Sequence, residues 1–459
     1  MIVLKFGGSS VDGAESIERV AGIVRGLRHR RPVVVVSAMA KTTRRLLKCA
    51  DAAAAGDLDL PTAWSIFEEV RAYHTNVAHA VVPAAGHRVL DAMLGRWFGE
   101  LHAAIDRVAA EGRLTPRSAD EVAAFGELLS SSILSLALDR SGPDALESPW
   151  IDCRQVLVTD DSFNRARPLY EETDARLRKA LLPHVAAGRV PVLGGYAGAT
   201  REGITTTLGK EGSDVSAAIV GAALGAEEVQ IWTDVDGMMT ADPRQVTGAR
   251  RVRTLSFAEA LELSCSGAKK PHYGTLGPAS RAGVPIRILN SWSPHLEGLA
   301  EGTLIGPRNG SAPPAIKSIT CRDNTRRILV RGADLAGVLE TVDRFRPSLL
   351  VLRMDGDEAE LALDREDRMF EIHTALSRLG EVHFAPSRTV ITLVSEDLAT
   401  SPELVRRVLR AAEGLEPRLV TAGAAAPCIR CLVSEETSAA AVATLHDRIF
   451  GGHPGEAVE

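Results

Sequence analysis

Ile2-Val3-Leu4-Lys5-Phe6-Gly7-Gly8-Ser9-Ser10 is an apolar run that stops abruptly at two glycines and two hydroxyls. A short run of this kind reads as a buried strand. The glycines let the backbone turn sharply and approach a ligand with no Cβ in the way. The amides there, and the start of the helical pattern that follows through Ile17, Val20, Ala21 and Val24, form an anion site. Lys5 stands just before it, placed to reach a phosphate. A plain structural turn accounts for Gly7-Gly8 equally well. Pro32-Val33-Val34-Val35-Val36-Ser37 repeats the strand signal, and strand, tight turn, helix, strand is the mark of a parallel α/β sheet.

Working outward, residues 61–140 are Ala- and Leu-rich and helically patterned. Strand signals return at 190–193, 229–232 and 284–289, with helical stretches near 213–225 and 256–266 between them. Residues 1–305 therefore read as one α/β domain. The composition shifts to Gly and Pro over 302–314, which makes 306–315 the linker. Beyond it, over 316–459, short alternations predict strands at 316–320, 327–330, 349–353, 358–363, 390–394 and 429–433. Helices are expected at 335–345, 369–379, near 402–413 and near 438–449. Two small tandem βαββ-type units fit that order.

The 459 residues suit two or three domains. The net charge of -6 leaves no basic field for nucleic acid, and runs such as Arg28-His29-Arg30-Arg31 read as solvated surface. Cys428 and Cys431 have CxxC spacing but no second Cys/His pair nearby, so the six cysteines read as reduced structural thiols. The first residues do not form a signal peptide, and no apolar run reaches the about 18 residues a membrane helix needs. The expected location is the cytoplasm.

Two further stretches carry candidate chemistry. Thr206-Thr207-Leu208-Gly209-Lys210-Glu211-Gly212-Ser213-Asp214 gathers glycines, hydroxyls, a cation and acids at a helix start. Ser213 or Asp214 as a simple N-cap is the plain reading. Phosphate or carboxylate handling is the functional one, although neither a P-loop nor a dinucleotide fingerprint is present. Thr233-Asp234-Val235-Asp236-Gly237, followed by Thr240-Ala241-Asp242-Pro243-Arg244, is a turn that also suits a ribose or a metal, without the spacing of a calcium loop. All of these fall at predicted strand ends, where open α/β sheets bind ligands.

In combination these motifs resemble the aspartokinases. Lys5 to Val11 resembles the family's amino-terminal signature. Val35-Val36-Ser37-Ala38-Met39 with Thr43 resembles its second strand and loop, and Phe125-Gly126-Glu127-Leu128-Leu129-Ser130 its substrate-binding helix. Thr207 to Asp214, Thr233 to Gly237, Asp242-Pro243-Arg244 and Gly267-Ala268-Lys269 follow in family order, and Ile316 to Thr320 opens a tail that resembles paired ACT domains. The resemblance, to the lysine-sensitive monofunctional type, implies an amino acid kinase fold, a mainly parallel sheet sandwiched by helices, followed by two tandem ACT-type βαββαβ units. It implies a homodimer paired through the ACT domains, with no nucleic-acid or membrane partner. It also implies MgATP and L-aspartate as substrates and β-aspartyl phosphate as product. By the same resemblance Lys5, Gly7, Gly8 and Ser9 hold the phosphates, and Thr233, Asp234, Arg244 and Lys269 hold the nucleotide. Ser37, Thr43, Glu127, Tyr196 and Ser213 face the amino acid, with Glu127 on its ammonium. Asp214 organises the transfer site. No protein metal ligand is expected.

Two departures stand out. Where the family has Gly-Arg-Gly-Gly-Ser-Asp, this chain has Gly209-Lys210-Glu211-Gly212-Ser213-Asp214. Lys210 offers a point charge in place of a planar fork for the substrate α-carboxylate, and Glu211 adds an acid near an anionic substrate. Three readings stay open: an aspartokinase with weaker aspartate binding, a kinase for another aspartate-like acid, and a non-catalytic ACT amino acid sensor. In the tail, Leu350 stands where the family's effector-binding acid is expected, which predicts weak or absent lysine feedback.

Overall fold

The strand expected at residues 2–6 is β1 (Ile2–Phe6), with all five residues buried, Lys5 included. The computed structural model describes all residues except 57, 140–145, 269–270, 294–301, 309–313, 346–348, 365–367, 416, 418, 423–426 and 452–459. It divides into two compact units, Met1–Met238 with Pro271–Pro307, and Met239–Lys270 with Arg308–Glu459. The sequence reading put its boundary at 305, so residues 239–270 differ in assignment: they fold with the C-terminal unit.

In the first unit β1 is followed by α1 (Ala14–Gly26), β2 (Pro32–Val36), α2 (Thr42–Ala54), α3 (Leu60–Val81), α4 (His87–Glu111) and α5 (Pro116–Leu138). Next come β3 (Trp150–Ile151), α6 (Cys153–Val156), α7 (Tyr170–Ala186), β4 (Val192–Gly194), β5 (Ala197–Ala199), β6 (Thr205–Thr207), α8 (Gly212–Leu224) and β7 (Glu228–Thr233). The chain passes through β8 (Thr254–Ser256) and α9 (Phe257–Ser266) of the second unit, then returns for α10 (Tyr273–Ala282), β9 (Ile286–Asn290) and β10 (Thr303–Gly306). The strands of this unit lie in the order β3-β4-β2-β1-β7-β9-β10. All these pairings are parallel except β9–β10, which is antiparallel. Val33 to Val36 are fully buried, as a strand covered by helices on both faces must be. The chain moves outward in opposite directions from β1, toward β2 and toward β7. That reversal opens a crevice at the carboxyl ends of those strands. Helix α5 is apolar and long enough to span a bilayer by length and composition, but it is buried in this unit and carries Asp120 and Glu127 on its buried face.

Besides β8 and α9, the described residues of the second unit form a six-stranded antiparallel sheet with four further helices. Its strands are β11 (Ser318–Arg331), β12 (Leu349–Asp355), β13 (Glu358–Leu363), β14 (Glu381–Val394), β15 (Leu419–Ala422) and β16 (Cys428–Val433), in the order β12-β13-β11-β14-β16-β15. The helices are α11 (Leu335–Phe345), α12 (Met369–Leu376), α13 (Pro402–Ala411) and α14 (Ser438–Phe450). Two cores sit on this sheet. One gathers Ile328, Val330, Val338, Leu361, Ile372 and Leu376; the other gathers Ile319, Leu393, Ile429, Leu404, Leu445 and Ile449. The strands expected separately at 316–320 and 327–330 are a single strand, β11, whose pairing with β14 survives two register shifts around Arg322 to Arg327. The first half of β11 serves the second core and its last half the first, so the two ACT-type units are interleaved along shared strands. Cys428 and Cys431 are buried and free, three positions apart on β16 and therefore on opposite faces.

Arg327, 1% exposed, is paired with Glu360 in this sheet, while Arg331–Glu358 on the same two strands is exposed. Glu360→Ala strands a buried guanidinium and should cost about 3–5 kcal/mol of stability. Glu358→Ala should cost about 0–1 kcal/mol. Urea denaturation of the two variants side by side checks this difference.

Candidate active site

Four strand ends of the first unit deliver the candidate residues: Gly7 follows β1, Ser37 follows β2, Gly195-Tyr196 follow β4 and Asp234 follows β7. At the centre, Lys5 Nζ is ion-paired with Asp214 Oδ1, at 2% and 0% side-chain exposure. A buried ammonium and a buried carboxylate are each costly alone, so the pair ties the end of β1 to the first turn of α8.

The pocket beside this pair, of ≈ 390 Å³, is lined by Lys5, Ser37, Thr43, Glu127, Tyr196, Lys210, Glu211 and Ser213, together with Leu47, Asn164, Gly209 and Gly212. Every acceptor-site residue named from sequence thus meets in one cavity. Asn164 was missed, because a single Asn in a loop has no sequence signal. A larger open groove of ≈ 560 Å³ between α3 and α4, lined by Phe67, Leu94, Phe98 and His102 among others, gathers no strand ends.

Three unpaired polar groups face this chemistry. Glu127 is 4% exposed; its Oε1 accepts from the Ala38 amide at 3.1 Å, and its Oε2 is buried with no partner among the described residues. Burial pushes the Glu127 carboxyl up to about 8, opposed in part by the Ala38 amide and the Lys5 charge. The amides of Thr43 and Ser213, each in the first turn of a helix, also have no partner among the described residues. Neither helix has a side-chain cap: α2 starts after Lys41 and α8 after Glu211. The N-cap expected at Ser213 or Asp214 is corrected by this. Both residues lie inside α8, and Glu211 holds the cap position in a left-handed conformation, φ 55°. Lys41 (φ 59°) and Tyr196 (φ 65°) are also left-handed, a conformation that costs a non-glycine residue about 1–2 kcal/mol. Burial pushes the Tyr196 hydroxyl up to about 12.

Two glycines are required by close approach. A Cβ on Gly8 would lie 2.8 Å from the Ala38 carbonyl, and one on Gly195 would lie 2.6 Å from Ser213 Cα. Gly7 is different: its amide donates to the Trp232 carbonyl at 3.1 Å, so it continues the sheet. The amides free for an anion are those of Gly8 and Ser9, which open a 3-10 turn (Gly8–Val11) without a side-chain cap. Thr233 Oγ1 donates to Asp234 Oδ1 at 3.0 Å, fixing an exposed acid at the end of β7. Arg244 belongs to the second unit, where its Nε donates to Asp242 Oδ1 at 2.9 Å. Lys269 lies outside the described residues. His272 caps α10 through the Gly274 amide at 3.3 Å; burial lowers its pKa, and Glu211, Lys210 and Asp214 act on its charge. Sequence reading did not single it out.

The amino acid kinase family matches residues 1–290. Aspartokinase 2, chloroplastic, of Arabidopsis thaliana is 30% identical over 98% of this chain and 85% of its own length. Lysine-sensitive aspartokinase 3 of Escherichia coli is 29% identical over 98% and 99%. The crystal structure of E. coli aspartokinase III with aspartate and ADP superposes with a TM-score of 0.81 at 28% identity, covering 98% of this chain and 100% of the other.

The Glu127 carboxyl makes a pH prediction. Below its pKa of about 8 the unliganded pocket holds a neutral acid, and an ammonium ligand must displace that proton. Affinity for an amino acid should therefore rise as pH climbs from 6.5 to 8, by up to about tenfold per pH unit, and level off above 8. Glu127→Gln should weaken binding and flatten the profile. Calorimetric titration across that pH range measures both.

Proposed function

The chain belongs to the amino acid kinase family, on its aspartokinase branch, and we propose that it transfers the γ-phosphoryl group of ATP to the β-carboxylate of L-aspartate. The observation that carries this reading is the set of unpaired groups in one pocket. Glu127 Oε2 suits an ammonium, and the Thr43 and Ser213 amides with Lys210 suit a carboxylate. The acceptor is thereby held at its α-carbon, with its β-carboxylate toward Lys5.

The acceptor carboxylate is already a nucleophile, so no base is needed. A bond forms between its oxygen and the γ-phosphorus, the bond from that phosphorus to the β,γ-bridging oxygen breaks, and ADP leaves carrying the electron pair. Lys5 neutralises charge on the transferring group, and Asp214 fixes the direction of its ammonium. Gly8 and Ser9 amides hold phosphate oxygens at the start of the uncapped 3-10 turn. Thr233 and Asp234 hold the nucleoside. No group of three or more His, Cys, Asp or Glu side chains among the described residues forms a metal cage. Mg²⁺ bound with the nucleotide would supply charge neutralisation at the phosphates. Exposed Phe370 and Phe384 on the second unit support a homodimer paired through the ACT-type units. Six free cysteines support a cytoplasmic location.

ADP release from MgATP with a panel of amino acids tests the reaction. Turnover on aspartate is expected. Lys210→Arg with Glu211→Gly should lower KM for aspartate, since it restores a bidentate fork and relieves the left-handed Glu211. Turnover on a related acid and none on aspartate would instead mark Lys210 and Glu211 as a changed specificity.

Regulation is part of the proposal. Leu350, 8% exposed, packs with Val351, Ala362, Val390 and Leu432, so the position where an effector ammonium would need an acid is apolar. Micromolar lysine should leave the rate unchanged; strong inhibition in the same assay would defeat this part.

A further inference from the structure

Asp120 lies on α5 seven residues before Glu127, so the two carboxylates share one face two turns apart. It is 1% exposed, and burial pushes its carboxyl up against the pull of three donors. Those donors come from two separate segments. Oδ2 accepts from the Asn164 amide and from the Thr207 amide, both at 2.9 Å, and Oδ1 accepts from Thr207 Oγ1 at 2.6 Å. Thr207 ends β6 and leads directly into Gly209-Lys210-Glu211. Asn164 sits in a loop closed by the Asp160 and Arg167 backbones at 3.0 Å, and Ala166 N donates to Thr207 O at 2.8 Å. A Cβ on Gly209 would meet the Asn164 carbonyl at 2.9 Å, so the two segments are in contact beside the pocket.

Asn164 is left-handed, φ 67°, and lines the acceptor pocket with Lys210 and Glu211. We infer that Asn164 is a further acceptor-binding residue, whose side-chain amide contacts the α-carboxylate end of the amino acid beside Lys210. Asp120 is the positioning residue that holds Asn164 and the Lys210 segment in register. A donor at this place adds a directed hydrogen bond to the point charge of Lys210, which alone gives no bidentate geometry. The inference rests on the acceptor-site reading given above.

Asn164→Gly removes the amide and keeps the left-handed backbone. In the full chain it should raise KM for aspartate by about 10–100-fold, the size of one hydrogen bond to a charged group, with kcat and the KM for ATP within about twofold. Asp120→Asn should also raise KM for aspartate, and its effect should shrink in the Asn164→Gly background, because it acts through that residue. Thr207→Val, which deletes one donor to Asp120, replaces Asp120→Asn if that variant fails to fold. An active wild type whose aspartate KM is unmoved by Asn164→Gly overturns the inference alone. Effects that multiply in full overturn the positioning role of Asp120. A wild type with no turnover on aspartate overturns the proposed function, and this assignment with it.

Discussion

The ion pair between Lys5 and Asp214 is the constraint on which the site depends. It joins the next-to-last residue of a fully buried strand to the first turn of a largely buried helix. Removal of either partner would leave a charge in the interior, a loss of about 3–5 kcal/mol, so neither end can drift. Everything near it follows from that fixed distance. Gly195 must be glycine because Ser213 is held against it, and Gly8 because the Ala38 carbonyl is held against it. The acid also sits where the dipole of α8 favours negative charge.

Around that fixed pair the pocket is left electrostatically incomplete. Two helices start there without side-chain caps, and the Thr43 and Ser213 amides and one oxygen of Glu127 have no partner among the described residues. A missing N-cap typically costs about 1 kcal/mol, and each left-handed residue costs more. These costs are tolerated at Lys41, Glu211 and Tyr196 because the surrounding fold over-determines their conformation. A ligand that supplies an ammonium and a carboxylate satisfies all three groups at once, which is preorganisation in a concrete form.

The parallel sheet was legible because β1 and β2 announce themselves as apolar runs broken by small residues, and the pocket was legible because its residues follow strand ends. Short strands without a hydrophobic run escaped: β3 has two residues, and β5 and β6 are a hairpin of Ala, Gly and Thr. Strand β11 was split because Arg322-Asp323-Asn324 has the composition of a turn, and Asn324 is indeed left-handed, yet pairing continues past it. Asn164 and Asp120 escaped for another reason. Their importance lies in contacts across 44 and 87 positions of chain, which no local pattern encodes. The assignment of residues 239–270 to the second unit rests on similarly distant contacts, such as Thr240 Oγ1 with His446 Nε2 at 2.8 Å and Ile319 N to Thr240 O at 2.8 Å.

That assignment bears on modularity. Ala241 and Val246 are buried among Ile316, Ile319, Leu393 and Leu445, so the core of the C-terminal unit includes side chains encoded well upstream of it. A gene cut at residue 307 would not release a clean kinase cassette. It would strand an apolar loop that carries Arg244, with its hydrophobic partners gone. Loss of the tail by truncation would therefore leave Ala241 and Val246 without the core that buries them, and expose sticky apolar surface on that loop.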